Sequence, residues 1–309
     1  MGMGNGEVGS HVQFRVFDRG PGRRALGLHY GRWIIASAMA AALALLFGSV
    51  LIDMADEWWT VPAASQGMLL PPLACYLAWL NRSATLSKPG VEDRRGLLVI
   101  GFGCCVFMLG RLASEFFLMR ISFVIVLTGL LFTFWGWERV RTLALPLLLL
   151  ATMVPLPTIV YNLLAAPLQL FASDVATRVA QWAGVSVFRD GNLIQLAGTT
   201  LGVAEACSGL SSLSGMIVGS ILLGYLLCDT LPGRIILFLS ALPLAILVNV
   251  VRVAGTAIAA DYDESFAMGF YHSFSGWLVF MAGFGLLYLT GRLLHAMLER
   301  SNAKVEVAA

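Results

Sequence analysis

A cysteine with the surroundings of a nucleophile lies in the run Ala-Glu-Ala-Cys-Ser-Gly-Leu of residues 204–210. Here a water-facing segment gives way to an apolar stretch, so Cys207 is expected to open a helix at a membrane surface. Unpaired backbone N–H groups in the first turn of a helix, and the positive end of its dipole, both stabilise a thiolate. The amides of Ser208 and Gly209 are also placed to stabilise a developing oxyanion. The run therefore predicts a reactive thiol.

Two other residues have the chemistry to work with this thiol. Arg252 lies within an apolar segment, where inserting an arginine costs about 2.5 to 3.5 kcal/mol, so it is expected to line a cavity or bind a partner. Asn249 precedes it by one turn on the same predicted helix face, within reach of Arg252 or of a substrate carbonyl. His272 stands just before the last apolar segment, and the predicted topology makes it the only histidine outside the cytoplasm.

Cys207, Arg252 and His272 have complementary roles in acyl transfer from a peptide bond. An imidazole takes the thiol proton and later returns it to a leaving amine, while a guanidinium stabilises the negative charge of a tetrahedral intermediate. A zinc peptidase and a serine hydrolase are disfavoured because the sequence has neither HExxH nor Gly-x-Ser-x-Gly. The other cysteines show no CxxC spacing and no His/Cys cluster, so neither a metal site nor a cofactor is predicted.

The composition predicts an all-α polytopic membrane protein. Of the 309 residues, 58% are hydrophobic and 12% are charged, a balance that no water-soluble domain would tolerate. About eight apolar segments have the length of roughly 20 residues that a helix needs to cross a bilayer. They lie near residues 33–52, 60–80, 96–113, 121–137, 142–160, 207–228, 235–260 and 275–294.

The distribution of basic residues predicts the topology. If the N-terminus is cytoplasmic, only five of the 20 lysines and arginines fall on the extracytoplasmic side, which is the bias that orients membrane proteins. Neither the net charge of +2 nor any basic stripe indicates a nucleic-acid partner, so membrane lipid is the expected surrounding. The predicted organisation is a cytoplasmic tail (1–32), five transmembrane helices (33–160), an extracytoplasmic segment (161–206), three catalytic transmembrane helices (207–294) and a second cytoplasmic tail (295–309).

The extracytoplasmic segment is predicted to contain a helix and a short β-hairpin. Apolar residues recur every three or four positions from Leu164 to Trp182, which indicates an amphipathic helix lying in the membrane interface. Residues 185–188 and 193–196 flank the turn-forming run Arg-Asp-Gly-Asn, as in a hairpin. A third short run, residues 200–206, leads directly to Cys207.

Three sequence blocks resemble the signature blocks of the exosortase/archaeosortase family. They are Val-Ala-Glu-Ala-Cys-Ser-Gly-Leu (203–210), Pro-Leu-Ala-Ile-Leu-Val-Asn-Val-Val-Arg (243–252) and His-Ser-Phe-Ser-Gly (272–276), and their order and spacing agree with the family as well. The resemblance extends from about Pro155 to the last helix. One departure is Ser211, where the family often has a basic residue, and this leaves the substrate subclass open.

The resemblance implies a membrane cysteine transpeptidase or protease, convergent with sortases, in the inner membrane of a bacterium. Its substrates would be exported proteins with a C-terminal sorting signal, a short motif similar to Pro-Glu-Pro followed by a transmembrane helix and a basic tail. Cleavage through a thioester would occur at the periplasmic face. By the matching blocks, Cys207 would be the nucleophile, Arg252 the stabiliser of oxyanion or substrate, and His272 the general acid/base. Glu205, Ser208, Gly209 and Asn249 are the expected supporting residues.

Two other function classes remain open on sequence alone. A transporter or channel would use Arg252 to bind an anion among helices broken by proline, as at Pro71-Pro72 and Pro243. A passive assembly scaffold would pack through small residues such as those of Gly215-x-x-x-Gly219 and would need none of the three reactive side chains.

Overall fold

The computed structural model is mostly helical and describes the backbone of residues 22–61, 64–203, 209–267 and 269–308. Their side chains are described as well, except at residues 22–36, 158, 164, 209–211, 264, 267, 272 and 299–308. Three of the predicted site residues, Glu205, Cys207 and Ser208, therefore lie outside the described residues, as does most of the predicted N-terminal tail.

The described helices follow one another along the chain, with a small sheet between α8 and α9. The helices are α1 (Gly22–Thr60), α2 (Leu70–Leu80), α3 (Arg82–Ser87), α4 (Arg95–Ala113), α5 (Phe116–Trp135), α6 (Trp137–Thr142), α7 (Ala144–Thr152), α8 (Thr158–Trp182), α9 (Gly209–Leu227), α10 (Leu231–Tyr262) and α11 (Gly269–Ala308). The strands are β1 (Phe188–Asp190), β2 (Leu193–Gln195) and β3 (Thr200–Gly202), and 3-10 turns occur at Ser65–Leu69 and Glu264–Ala267.

The chain divides into two compact units after Ser49. The first unit contains the N-terminal part of α1. The second unit, residues 50–309, contains every other described element and all of the candidate site positions.

Six of the described helices are long and apolar enough to cross a membrane, which confirms an integral membrane protein. The six segments are Ser37–Thr60, Arg95–Ala113, Phe116–Trp135, Ile159–Trp182, Leu231–Tyr262 and Gly269–Leu298. Five of them coincide with predicted spans. The sixth, in α8, covers the segment predicted to be an interfacial helix, and its length and composition would also suit a span. Its interfacial position therefore stays a prediction.

Two of the predicted spans form shorter helices, so the count of eight is not confirmed. The segment 60–80 holds a 3-10 turn and then α2, a helix of 11 residues that has Pro71 and Pro72 in its first turn. The fifth predicted span contains α7, which has 9 residues and ends before Pro155. Proline lacks an N–H and its ring clashes with the preceding turn, so it interrupts a helix that hydropathy alone would continue. The sixth predicted span, 207–228, contains α9, a helix of 19 residues, of which the apolar part with described side chains is Ser212–Leu227.

The predicted hairpin is confirmed, but its first strand is Phe188–Asp190 rather than residues 185–188, and the predicted third run contains the strand β3, which extends the sheet. The sheet has the order β1-β2-β3 with both pairs antiparallel, and Ile194 lies between Arg189 and Leu201 in the register. Gly191 begins the two-residue loop between β1 and β2 with a φ of 62°, a conformation that suits the first loop position of a type II′ turn and favours glycine there.

One face of the sheet packs against α8 and α10. Ile194 and Leu201 are 0% and 6% exposed and pack together with Val203, just after β3. The helices contribute mainly alanines to this cluster: Ala176 and Ala180 of α8, and Ala254, Ala257 and Ala260 of α10. Small side chains allow the sheet to approach the helices closely. The end of β3 is therefore held against the C-terminal half of α10.

An ion pair joins the end of α1 to the start of α5. Glu57 binds the guanidinium of Arg120, whose side chain is only 9% exposed. The predicted topology places both residues on the extracytoplasmic side, and their contact shows that they lie at the same height, as that topology requires.

Candidate active site

The guanidinium of Arg252 packs against a glycine of the neighbouring helix. Arg252 lies on α10, ten residues before the helix ends at Tyr262. A Cβ added to Gly276 of α11 would lie 2.8 Å from both Cζ and Nε of Arg252. Any residue larger than glycine at this place would therefore displace the guanidinium or the helix. Gly276 is a site residue that the sequence blocks contain but that the prediction gave no role.

A cavity opens beside this contact. It has a volume of about 90 Å³, which is enough for several water molecules, since one water needs roughly 10 to 15 Å³. Its lining combines the half-buried Arg252 with small, aromatic and hydroxyl-bearing side chains of α10, the following 3-10 turn and α11: Val251, Gly255, Thr256, Ala259, Phe266, Tyr271, Ser275 and Val279. A guanidinium at the wall of a largely apolar cavity is suited to binding a carbonyl oxygen or an oxyanion.

Position 272 lies on the face of α11 that carries this contact. His272 precedes Gly276 by one helical turn, and residues four apart stand above one another on a helix surface. Ser275, three residues after His272, lines the cavity. The imidazole itself lies outside the described side chains, so its reach to Arg252 and to Cys207 stays a prediction.

Contacts between α9 and α11 define the relative heights of these two helices. Gly215 and Gly219 of α9 contact Phe280 and Phe284 of α11, so these two helices run parallel with a constant offset of 65 residue numbers. The same offset places Gly209, the first residue of α9, level with residue 274 of α11. Cys207 precedes Gly209 by two residues. The start of α9 is therefore within about two residues, roughly 3 Å along the axis, of the heights of positions 272 and 276.

The segment that precedes Cys207 packs against α10. Val203 is 2% exposed and packs in the cluster that includes Val253 and Ala257 of α10, one turn or less from Arg252 and Thr256. Five residues, 204–208, connect Val203 to Gly209. Both flanks of the thiol are thus fixed near the helix turn that carries Arg252. The thiol itself lies outside the described residues, so its contact with Arg252 remains a prediction.

Asn249 lies in a second, smaller cavity. It is 4% exposed, and its Oδ1 accepts no hydrogen bond from any described residue. The cavity, of about 10 Å³, lies between α8, α9 and α10 and is otherwise lined by apolar residues: Leu168, Ala172, Leu213, Ala245 and Ile246. Asn249 and Arg252 therefore line different cavities, although they are only three residues apart on α10.

Cys228, the residue after α9, is buried and therefore unlike a reactive thiol. It is 2% exposed, and burial raises the pKa of its thiol above the usual range for cysteine. Its backbone carbonyl accepts a hydrogen bond from Arg234 Nε at 2.9 Å. At neutral pH this cysteine is protonated and poorly nucleophilic.

The sequence profile of one known family matches a range that includes every candidate site residue. The transmembrane exosortase profile matches residues 58–289, a range that contains Cys207, Asn249, Arg252 and His272. No curated protein and no solved structure is significantly similar to this chain. Exosortases are generally cysteine transpeptidases, which supports a membrane transpeptidase or protease role here. With this match over most of its length, the chain belongs to the transmembrane exosortase family.

Proposed function

We propose that this protein is a cysteine peptidase or transpeptidase of the bacterial inner membrane that cleaves C-terminal sorting signals of exported proteins at the periplasmic face. The observation that supports this most is the place of the Arg252 guanidinium. It lies against Gly276, one turn from His272, and level with the start of the helix that follows Cys207. The cavity beside it would hold the reacting carbonyl group.

The proposed reaction begins with proton transfer from the Cys207 thiol to the His272 imidazole. The thiolate then attacks the carbonyl carbon of the scissile peptide bond, and Arg252 stabilises the negative charge on the carbonyl oxygen. As the C–N bond breaks, the imidazolium gives its proton to the leaving amine, and a thioester to Cys207 remains. Water or an amine then attacks the thioester, loses a proton to His272 and expels the thiolate.

The proposed client has a short extended motif, similar to Pro-Glu-Pro, followed by a transmembrane tail. Its tail helix would dock laterally among the transmembrane helices, which leaves the motif beside strands β1 to β3. A substrate in this position would present its scissile bond at the height of Arg252 while its tail stays in lipid. The many apolar side chains that face outward from α10 and α11 fit a protein that meets its partner within the bilayer.

The test is mass spectrometry of the C-terminus of an exported protein that carries such a signal, co-expressed with the protein or with a variant. Cys207→Ala is expected to leave the client uncut. Cys228→Ala, which changes a buried thiol just after the C-terminal end of α9, serves as the matched control and is expected to process the client normally. Normal processing by Cys207→Ala would reject the proposal. The mass of the new C-terminus separates hydrolysis from transfer to an amine.

A further inference from the structure

The two edges of the small sheet differ in their surroundings. At the β1 edge, Gln181 Nε2 of α8 donates a hydrogen bond to the carbonyl of Val187 at 3.2 Å. Arg189 of β1 also forms an ion pair with Asp174 of α8, with a distance of 3.4 Å between nitrogen and oxygen. At the other edge, β3 pairs with β2 on one side, and no other described strand pairs with it. Helix α8 therefore contacts the β1 edge, whereas no strand among the described residues pairs with the outer edge of β3.

The register identifies which backbone groups this edge presents. The Val203 N–H donates to the carbonyl of Asn192 at 3.0 Å, and the carbonyl of Thr199 accepts from the Leu196 N–H at 2.8 Å. Residues 199, 201 and 203 thus direct their backbone groups toward β2. Successive residues of a strand direct these groups to opposite edges, so the N–H and C=O of Thr200 and Gly202 point away from the sheet.

This edge leads into the candidate active site. Gly202 is followed by Val203, which is buried against α10, and Cys207 comes four residues later. The side chains on β3 alternate in the usual way, with Leu201 buried and Thr200 exposed. A peptide laid along the edge would therefore run beside the chain that carries the thiol.

We propose that the extended motif of the client adds to the sheet as a fourth strand, hydrogen-bonded to Thr200 and Gly202. This rests on the proposed peptidase function and specifies how its substrate is held. The occupant is an extended peptide because a peptidase needs a scissile carbonyl that is not already bonded within a helix. Pairing through main-chain groups recognises the extended form with little regard to sequence, while side-chain pockets add specificity.

The first experiment removes one edge N–H without changing the ladder. Thr200→Pro deletes the donor that points off the sheet, a substitution that edge strands tolerate. It is expected to lower kcat/KM for the client by about three- to tenfold, the range for one lost hydrogen bond, and to lower it more than Thr200→Val does. Alkylation of Cys207 by iodoacetamide, followed by peptide mass spectrometry, should keep its rate in Thr200→Pro. Unchanged processing by Thr200→Pro, or an equal loss in Thr200→Val, would overturn the proposal.

The second experiment detects the strand directly and does not depend on the proline variant folding. In Cys207→Ala, which holds the client uncut, Thr200→Cys is combined with clients that carry single cysteines at consecutive motif positions. Disulfide yield should alternate with a period of two, since every second residue of a strand faces the same side. The same protein without Thr200→Cys is the control, because it measures the disulfides that the client forms with the other cysteines. A yield without alternation overturns edge pairing, whereas processing by Cys207→Ala overturns the peptidase function itself.

Discussion

The guanidinium of Arg252 occupies the space that a side chain at Gly276 would fill. The arrangement joins the helix that carries the arginine to the helix that carries His272, and it makes the position of the cation sensitive to a single methyl group.

Gly276→Ala is expected to impair client processing with little loss of stability. The added methyl group meets the far end of a flexible side chain, so the guanidinium moves rather than the helix. Misplacing a catalytic group by about 1 Å costs about 100-fold in rate, so we expect a loss of about 10- to 100-fold. Gly285→Ala on the same helix is the matched control, since a Cβ there has no neighbour within 4 Å. Equal processing by the two variants would contradict the placement of the arginine.

Arg252→Lys is expected to reduce processing by about 100- to 1,000-fold, as does the loss of other oxyanion donors. Lysine keeps the charge but not the planar pair of donors. Client cleavage in membranes measures the effect. Cys207→Ser provides the contrast with a transport function, because a transporter that uses Arg252 to bind an anion tolerates the serine whereas a thiol enzyme does not.

Cys207 is expected to react with iodoacetamide at pH 7.5 at least ten times faster than Cys228, by analogy with thiols whose pKa is lowered at helix starts. Burial raises the pKa of Cys228, so its thiolate fraction is small at this pH and grows only as the pH rises toward that raised pKa. Quantitative peptide mass spectrometry after short exposure measures both rates. Similar rates for the two thiols at pH 7.5 would argue against activation of Cys207.

Ile194→Ala is expected to destabilise the protein by about 2 to 5 kcal/mol, because it leaves a cavity where the sheet packs on α8 and α10. Leu193→Ala is the control from the same strand: Ile194 is fully buried, whereas Leu193 is 40% exposed on the opposite face. Thermal unfolding in detergent micelles measures the difference. A similar midpoint for the two variants would mean that the sheet is not anchored through this face.

Glu57→Gln is expected to lower stability by about 1 to 3 kcal/mol, because it leaves the buried guanidinium of Arg120 without its carboxylate. The value is below that of a fully buried pair because Glu57 is 31% exposed. Asp56→Asn is the matched control, since Asp56 is exposed in the same turn of α1. Thermal unfolding of the two variants in the same detergent measures the difference in stability. Equal midpoints would contradict a stabilising ion pair between Glu57 and Arg120.

The sequence predicted those elements that depend on residues close together in the chain. The hairpin follows from a Gly-Asn turn between two apolar runs, and α10 follows from a long apolar stretch that contains one internal proline, Pro243. The shortened α2 and α7 were missed because hydropathy averages composition over a window, whereas Pro71 and Pro155 act at single positions. The contact between Gly276 and Arg252 has no local signature, since a glycine in an apolar helix does not show what lies across from it. For the same reason, sequence put Asn249 and Arg252 on one face, although they line separate cavities.

The length of α10 has a consequence for how water reaches the reaction. Its 32 residues extend about 48 Å, well beyond a hydrocarbon layer of about 30 Å. Arg234 lies near one end, with its guanidinium 5.4 Å from the centre of the Tyr225 ring, an arrangement typical of the lipid headgroup region. Arg252 follows 18 residues later, or about 27 Å, which is nearly the full hydrocarbon thickness. If Arg234 marks one boundary of the hydrocarbon layer, Arg252 lies near the other boundary. In the proposed reaction, water or an amine would then reach the thioester from the aqueous phase while the cleaved tail helix stays in the lipid.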